Sequence, residues 1–271
     1  MLNFGLEEPE YLFSQENNPF LKKSDCFEIG KQLNKKGDLY QAILAFESDV
    51  IQNPKNSNSW RMLGKCHAEC DDDNKAIAAL SQAVKVDSNN LESLLDLACS
   101  YTNELNKFKA LSNLKKWLLN HPIYGNGGGS NGESNLNEPL NYLKLQDEVI
   151  NMFLESSKQS PDDVDLFNAL GVLYNLTDEN ENAIKFFKIA VKLNPNDHSL
   201  WNKLGATQAN GKQSELAIES YRNALKLKPN YVRAWVNLGI AYSNLKRNEE
   251  SVKYYLRALK YVFFFFNFII I

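Results

Sequence analysis

The segment LWNKLGATQANGKQSELAIESYRNALKLKP (200–229) indicates the fold most clearly, because its key residues recur at a fixed spacing of 34. Seven positions carry the pattern: Trp201, Leu204, Gly205, Ala217, Tyr221, Ala224 and Pro229. The same positions 34 residues upstream hold Phe167, Leu170, Gly171, Ala183, Phe187, Ala190 and Pro195. A constant period of this length indicates stacked repeats, and it fixes the architecture before local secondary structure is considered.

The rest of the chain follows the same template with varying fidelity. The copy downstream keeps Trp235 and Gly239 but has Ser251 at the Ala position and Phe263 at the Pro position. We predict six units, beginning near residues 23, 57, 91, 164, 198 and 232. The pattern is that of the tetratricopeptide repeat, which predicts an all-α fold of antiparallel helix pairs. Stacked pairs of this kind form a superhelix, expected here to be right-handed, with a concave face.

The small residues of the template have a physical reason. Gly on the first helix and Ala on the second let the two backbones approach, while Trp, Leu, Tyr and Phe fill the space between helices. The second helix of a unit is expected to end before its proline, because proline lacks an N–H and its ring clashes with the preceding turn. The prolines in this position are Pro54, Pro122, Pro195 and Pro229.

The template divides the chain into five segments. Residues 1–22 form a lead-in, 23–124 the first three units, and 164–261 the last three. Residues 125–163 interrupt the pattern with a Gly-rich loop, followed by a degenerate fourth repeat whose second helix survives, as Val149, Phe153 and Pro161 indicate. A phosphate-binding interpretation of Gly127–Gly129 is rejected because neither a strand before it nor a helix start after it is apparent. Residues 262–271 form an aberrant apolar tail.

Composition excludes several classes of protein. The 30 basic residues are balanced by 33 acidic ones, so the sequence predicts no general nucleic-acid binding. Four cysteines in 271 residues give no disulfide framework, and the start of the chain carries no apolar secretion signal. The apolar segment from Tyr261 to Ile271 is shorter than the roughly 20 residues of a membrane-spanning helix, so we expect no direct membrane span.

Helical periodicity separates structural side chains from those left for function. At about 100° per residue, template positions 4, 7, 8 and 11 of the first helix share one face, and positions 2, 6, 9 and 13 lie opposite. The opposite face is expected to line the groove with Asn103, Lys203, Asn210, Arg233, Asn237 and Asn244, and Asn202 lies one position to the side. Carboxamides pair with the N–H and C=O groups of any peptide backbone, and two cations favour a terminal carboxylate. Ordinary solvated helix surfaces remain the alternative interpretation.

The first half of the groove is expected to be acidic. Upstream contacts are predicted at Glu69, Asp71 and Asp96. With Lys203 and Arg233 in the second half, this division of charge would give a bound peptide a preferred direction.

Several blocks resemble one family of receptors. They are LWNKLGATQANGKQSE (200–215), RAWVNLGI (233–240), LGVLYNL (170–176), YTNE (101–104) and YLFSQENNPF (11–20). Over about residues 8 to 261 the chain resembles the peroxisomal import receptor that binds type 1 targeting signals, the peroxin-5 family. The resemblance implies that the chain binds cargo proteins through a C-terminal Ser-Lys-Leu-like signal, in the cytoplasm, and cycles to the peroxisomal membrane.

The resemblance also assigns residues and marks departures. The family's groove asparagines match Asn103, Asn202, Asn210, Asn237 and Asn244, and its basic pair matches Lys203 and Arg233. The family places a cargo-contacting Asn where this chain has Cys70, which cannot supply amide donors. The aromatic pentapeptides that dock on the peroxisomal membrane are absent from this sequence, so contact with the docking machinery is expected only through parts that the sequence lacks. In the family, the seventh repeat is complete and a helical bundle follows it. In this sequence, we hypothesise that Val262–Ile271 are a translated intron. The main rival is a general repeat scaffold or co-chaperone that binds another peptide or protein.

Chemistry of other kinds is not predicted. Cys66, His67 and Cys70 have part of a metal-ligand spacing, but no second cysteine pair follows, and we expect no metal site. His121 and His198 lie near helix ends, and no grouping of nucleophile and base can be built from the three histidines. We therefore expect neither an enzyme nor a cofactor.

Overall fold

The computed structural model describes residues 9–14, 18–125 and 139–263, with side chains from 142 to 261 in the last range. These residues form thirteen helices and no strand: α1 (Cys26–Lys36), α2 (Leu39–Gln52), α3 (Ser57–Glu69), α4 (Asp73–Val86), α5 (Leu91–Asn103), α6 (Lys107–Asn120), α7 (Pro139–Gln159), α8 (Val164–Leu176), α9 (Asn180–Leu193), α10 (His198–Asn210), α11 (Ser214–Leu227), α12 (Val232–Asn244) and α13 (Asn248–Phe263). The all-α repeat fold is confirmed.

The helices follow the predicted period closely. α3, α5, α8, α10 and α12 begin at the predicted residues 57, 91, 164, 198 and 232, whereas α1 begins three residues after position 23. α7 stands alone between the two groups of three helix pairs, and its Val149 and Phe153 are fully buried, as expected for a surviving second helix. The predicted Gly-rich loop beyond Gly125 and the apolar tail beyond Phe263 lie outside the described residues.

The close approach of paired helices explains the glycine of the template. A Cβ atom added to Gly171 would lie 2.6 Å from the ring of Phe187, and one added to Gly205 would lie 2.7 Å from Tyr221. Both distances are well inside van der Waals contact, so a larger residue would force the ring or the helix to move. In the last pair, Ser251 takes the place of Ala, and its hydroxyl donates to the carbonyl of Gly239 at 2.9 Å.

The tryptophan and proline of the template are joined by a hydrogen bond. The indole N–H of Trp201 donates to the carbonyl of Pro195 at 2.8 Å, and Trp235 makes the same bond to Pro229. Trp60 repeats it with Pro54 at 3.0 Å. The bond ties the first helix of each of these units to the connection that precedes it, which fixes the angle between successive units.

One strained backbone position recurs in every helix pair. The residue fifteenth in the unit has a positive φ, between 56° and 82°: Gly37, Asp71, Leu105, Asp178, Lys212 and Lys246. This left-handed conformation reverses the chain between the two helices. It costs glycine nothing, is tolerated by Asp, and is least favourable for Leu and Lys. The template therefore imposes its largest backbone cost at Leu105, Lys212 and Lys246.

The superhelix curves until its later units touch the second unit. α12 packs against α3, although the two helices are more than 160 residues apart in sequence. Contacts between α1 and the α11–α12 connection extend this closure, since Asn230 donates to the carbonyl of Gly37. The first helices of the units consequently surround a central space.

Among the described helices, none combines the length and the apolar character that crossing a membrane requires.

Candidate functional site

The concave faces of α3, α5, α8, α10 and α12 enclose a cavity of about 550 Å³. Nine of the ten residues predicted for the groove line it: Asn103, Asn202, Lys203, Asn210, Arg233, Asn237, Glu69, Asp71 and Asp96. The tenth, Asn244, ends α12 in an exposed position and is not among the lining residues. The choice of helix face from periodicity thus gathers residues from four units around one space.

Template position 9 supplies an apolar wall that the sequence analysis did not name. Cys99, Val172, Ala206 and Ile240 occupy this position in four units, and all four line the cavity. Ile240 is 42% exposed although it is a large apolar residue. An apolar side chain of a ligand could be covered here.

Two carboxamides of the cavity pair with each other, and Lys203 holds a third amide beside it. Asn237 donates through Nδ2 to Oδ1 of Asn202 at 3.1 Å, and Lys203 donates through Nζ to Oδ1 of Asn168 at 2.9 Å. Burial opposes the positive charge of Lys203, but Cys99, Asp96 and Asp197 outweigh it and raise the pKa of the ammonium. The side chain of Lys203 therefore stays protonated in the cavity.

Asn175 is a lining residue that sequence reasoning missed. Its Nδ2 donates to the hydroxyl of Thr207 at 2.8 Å, and this hydroxyl donates in turn to the carbonyl of Lys203. Because the only hydrogen of the hydroxyl is used, Thr207 must accept from Asn175, which fixes the orientation of the amide. The buried Oδ1 of Asn175 has no hydrogen-bond partner within the described structure. It is an acceptor left over for a donor from a ligand.

Arg233 spans the closed superhelix. Its Nε donates to the carbonyl of Ala68 at 2.6 Å, and Nη2 donates to Oδ2 of Asp73 at 2.8 Å. A carboxylate oxygen of Asp71 lies 3.4 Å from Nε. The curvature of the superhelix thus brings Arg233 of the last unit next to the acidic residues of the second unit. The preferred direction of a bound peptide stays a prediction.

Glu69 is paired in the same way. It is only 4% exposed, and its carboxylate accepts from Nζ of Lys228 and lies 3.1 Å from Nε2 of His198. Burial alone would raise the pKa of Glu69, but the hydrogen bond from His198 and the charge of Lys228 outweigh it and lower this pKa to about 2. Lys228 also donates to Asn34 at 2.9 Å, so that one small network joins the first, second and fifth helix pairs.

Asp96 has its own partner. Its Oδ2 accepts from Nε of Arg61 at 3.0 Å. Together with Glu69 and Asp71, Asp96 therefore faces the cavity as a carboxylate already neutralised by the chain.

The cysteine and histidine residues of the second unit are structural. Cys66 is buried and accepts from Asn34 at 3.3 Å, and Nε2 of His67 lies 2.7 Å from the hydroxyl of Tyr11. Burial lowers the pKa of His67 to about 4 and raises that of Cys70, a partly buried thiol that ends α3, to about 12. Within the described ranges, no three His, Cys, Asp or Glu side chains are placed to hold a metal ion.

Comparison with known proteins agrees with the fold. The tetratricopeptide repeat family matches residues 57–90, 164–197 and 232–261, and a second TPR repeat family matches 210–246. Peroxisome biogenesis protein 5 of Arabidopsis thaliana is 48% identical over 177 residues, which cover 65% of this chain and 23% of that protein. The peroxisomal targeting signal receptor of Yarrowia lipolytica is 37% identical over 186 residues, which cover 67% of this chain and 31% of that protein.

The chain thus spans about a quarter to a third of the length of these relatives. Among solved structures, the crystal structure of MamA matches this chain with 24% sequence identity and a TM-score of 0.38. The match covers 73% of this chain and 94% of the MamA chain. The chain is a tetratricopeptide-repeat protein whose sequence resembles that of the peroxisomal targeting signal receptors.

Proposed function

We propose that this chain is the cargo-binding part of a peroxisomal import receptor, and that its cavity takes the C-terminal Ser-Lys-Leu-like signal of cargo proteins. It would act in the cytoplasm and cycle to the peroxisomal membrane, as a binding protein without catalytic activity. The observation that carries the proposal is the convergence of Asn202, Asn237, Lys203 and Arg233, from two neighbouring units, on one cavity. Carboxamides and cations in this arrangement suit an extended peptide that ends in a carboxylate.

The carboxylates of the cavity suit a signal with a basic residue before its end. Five carboxylates line it, those of Glu69, Asp71, Asp73, Asp96 and Asp178. Three of them already have cationic partners outside the lining, Lys228, Arg61 and Lys107, so the support comes from carboxylate oxygens that a lysine of the ligand could contact and not from a net negative charge.

The apolar wall supports a terminal leucine. Val172 is almost fully buried, whereas Ile240, which also lines the cavity, is 42% exposed and offers apolar surface that a ligand could cover. Covering Ile240 with a leucine side chain would remove apolar surface of both partners from water, which favours association.

The test is fluorescence anisotropy with a labelled peptide that ends in Ser-Lys-Leu and carries a free carboxylate. We expect saturable binding, and at least about tenfold weaker binding of the same peptide amidated at its C terminus, because a charge-assisted contact is lost. A peptide ending in Leu-Lys-Ser serves as the composition control. Equal affinity for the acid and the amide would contradict a carboxylate site. A lack of binding to all three peptides would contradict the receptor function and favour a repeat scaffold that binds another partner.

A further inference from the structure

We propose that Asp73 is an internal competitor for the carboxylate of the ligand, a proposal that rests on the proposed function. In the free protein its side chain would occupy the groups that a bound peptide needs, and binding would proceed by exchange of one carboxylate for another. Nothing in the 34-residue pattern marks Asp73 for this role, since it lies on a second helix, outside the positions that face the groove.

Asp73 contacts two residues of the predicted groove, Arg233 and Asn103. Asp73 is the first residue of α4 and is only 7% exposed, yet it lines the cavity. Its carboxylate accepts from Nη2 of Arg233 at 2.8 Å, and Nδ2 of Asn103 lies 3.1 and 3.3 Å from its two oxygens. Two of the side chains assigned to peptide recognition, from two different units, are therefore held by the same internal anion.

A second anion cannot simply be added at this place. Asp71 already lies 3.4 Å from Arg233, so a ligand carboxylate would be the third negative group around one guanidinium. Like charges at such distances repel strongly in a partly buried site. The least costly arrangement keeps Asp73 on Asn103, its second partner, and transfers the Nη2 contact of Arg233 to the ligand.

The exchange does not require the superhelix to open. The Lys228–Glu69 pair and the His198–Glu69 contact hold the same ends together, and they involve neither Asp73 nor Arg233. The exchange therefore weakens ligand binding, and removing the charge of Asp73 should make ligand binding tighter.

The test is the affinity of the Asp73→Asn variant for the Ser-Lys-Leu acid peptide, measured by the same anisotropy assay. Asparagine keeps the shape and one hydrogen-bond acceptor, so we expect about three- to tenfold tighter binding than in the natural chain. The matched control is Asp178→Asn, which also removes one negative charge from the lining but pairs with Lys107 and not with Arg233. Because Asp178 does not hold Arg233, its replacement should bring no gain in affinity.

Asp71→Asn is the second variant, in case Asp73→Asn fails to fold, as judged by its circular dichroism and melting curve. Its weaker contact with Arg233 predicts a smaller gain in affinity, of about twofold. Unchanged or weaker binding by a folded Asp73→Asn variant would overturn the proposal, as would an equal gain for Asp178→Asn, which would indicate a general effect of charge.

The two proposals can fail separately. If the natural chain binds the acid peptide and Asp73→Asn gains nothing, only the competitor is refuted and the receptor function stands. If neither form binds any peptide, both are refuted. Binding by Asp73→Asn alone would support both, because it would indicate a competitor strong enough to keep the free site closed.

Discussion

The two faces of the first helices differ in how strictly they follow the repeat. On the face that contacts the partner helix, position 8 is small in all six units: Gly30, Gly64, Ala98, Gly171, Gly205 and Gly239. On the cavity face, position 9 differs in each of five units, with Lys65, Cys99, Val172, Ala206 and Ile240. Helix stacking therefore restricts the residues of the packing face to small ones, because any added atom meets the neighbouring helix. The residues of the cavity face are free of this restriction and can serve recognition.

The faces also differ in what their residues contact. The packing face makes apolar contacts within one unit or with the next, as between Gly171 and Phe187. The cavity face makes polar contacts over very long sequence separations, as between Arg233 and Asp73. We therefore expect substitutions on the packing face to change stability through the volume of the side chain, and substitutions on the cavity face to change it through the charge of the side chain.

The largest expected effect comes from adding one methyl group to the packing face. Gly171→Ala should reduce the free energy of unfolding by about 2 to 3 kcal/mol, because its Cβ would overlap the Phe187 ring. The fifth and sixth helices show a tolerated combination, in which Ala98 occurs with Leu114. In urea denaturation, the double variant Gly171→Ala with Phe187→Leu should therefore lose less than the sum of the single losses. Strict additivity would show that the ring does not set the size limit.

The next largest effect concerns the charged residues of the cavity face and is measured as a function of pH. Glu69→Gln should cost about 2 kcal/mol at pH 7, because a buried paired carboxylate is replaced by a neutral amide. The folded pKa of about 2 lies below the ordinary value of 4.5, so the carboxylate stabilises the fold above pH 4.5 and loses this contribution as the pH falls towards 2. The stability gap between the natural chain and Glu69→Gln should accordingly narrow below pH 4.5.

The control for this experiment is Glu250→Gln. Glu250 pairs with Arg247 at the surface, and its replacement should change stability by no measurable amount. A Glu69→Gln gap that stays constant from pH 7 to pH 3 would show that the contribution of Glu69 is not that of an ionised group.

The smallest effect concerns the turns that join the two faces. Leu105→Gly should increase the free energy of unfolding by about 1 kcal/mol, because φ at this residue is 56° and its side chain is 79% exposed. Leu105→Ala removes most of the side chain without relieving the backbone, so it should gain nothing. Thermal denaturation of the three proteins measures both expectations, and an equal gain in both variants would assign the strain to the leucine side chain.

Much of the scaffold was predictable because it depends on local spacing. The start of α10 at His198 follows from the period alone, since Trp201, Gly205 and Pro229 each occupy a position fixed by contacts within one helix pair or with its neighbour. The bond from Trp201 to Pro195 was not foreseen, although the constant spacing of Trp and Pro in the template is a signal that could have revealed it.

The cavity was predictable only in part. Periodicity selected Asn237 and Arg233 correctly as lining residues, but Asn175 was missed because it occupies position 12, just beside the face that was chosen. The pairing of Arg233 with Asp73 could not be predicted at all. It depends on the small rotation between successive units, summed over five of them, and sequence spacing does not determine this angle.

The most direct test of the account is the affinity of Asn237→Ala for the acid peptide, measured together with its free energy of unfolding. Asn237 lies on the cavity face, half-buried beside Asn202, and truncation should weaken binding by about 1 to 3 kcal/mol while leaving stability within about 0.5 kcal/mol. Asn182→Ala, an exposed asparagine on α9 outside the cavity, is the matched control and should change neither quantity. Undiminished binding by a stable Asn237→Ala variant would contradict the claim that the cavity face recognises the peptide.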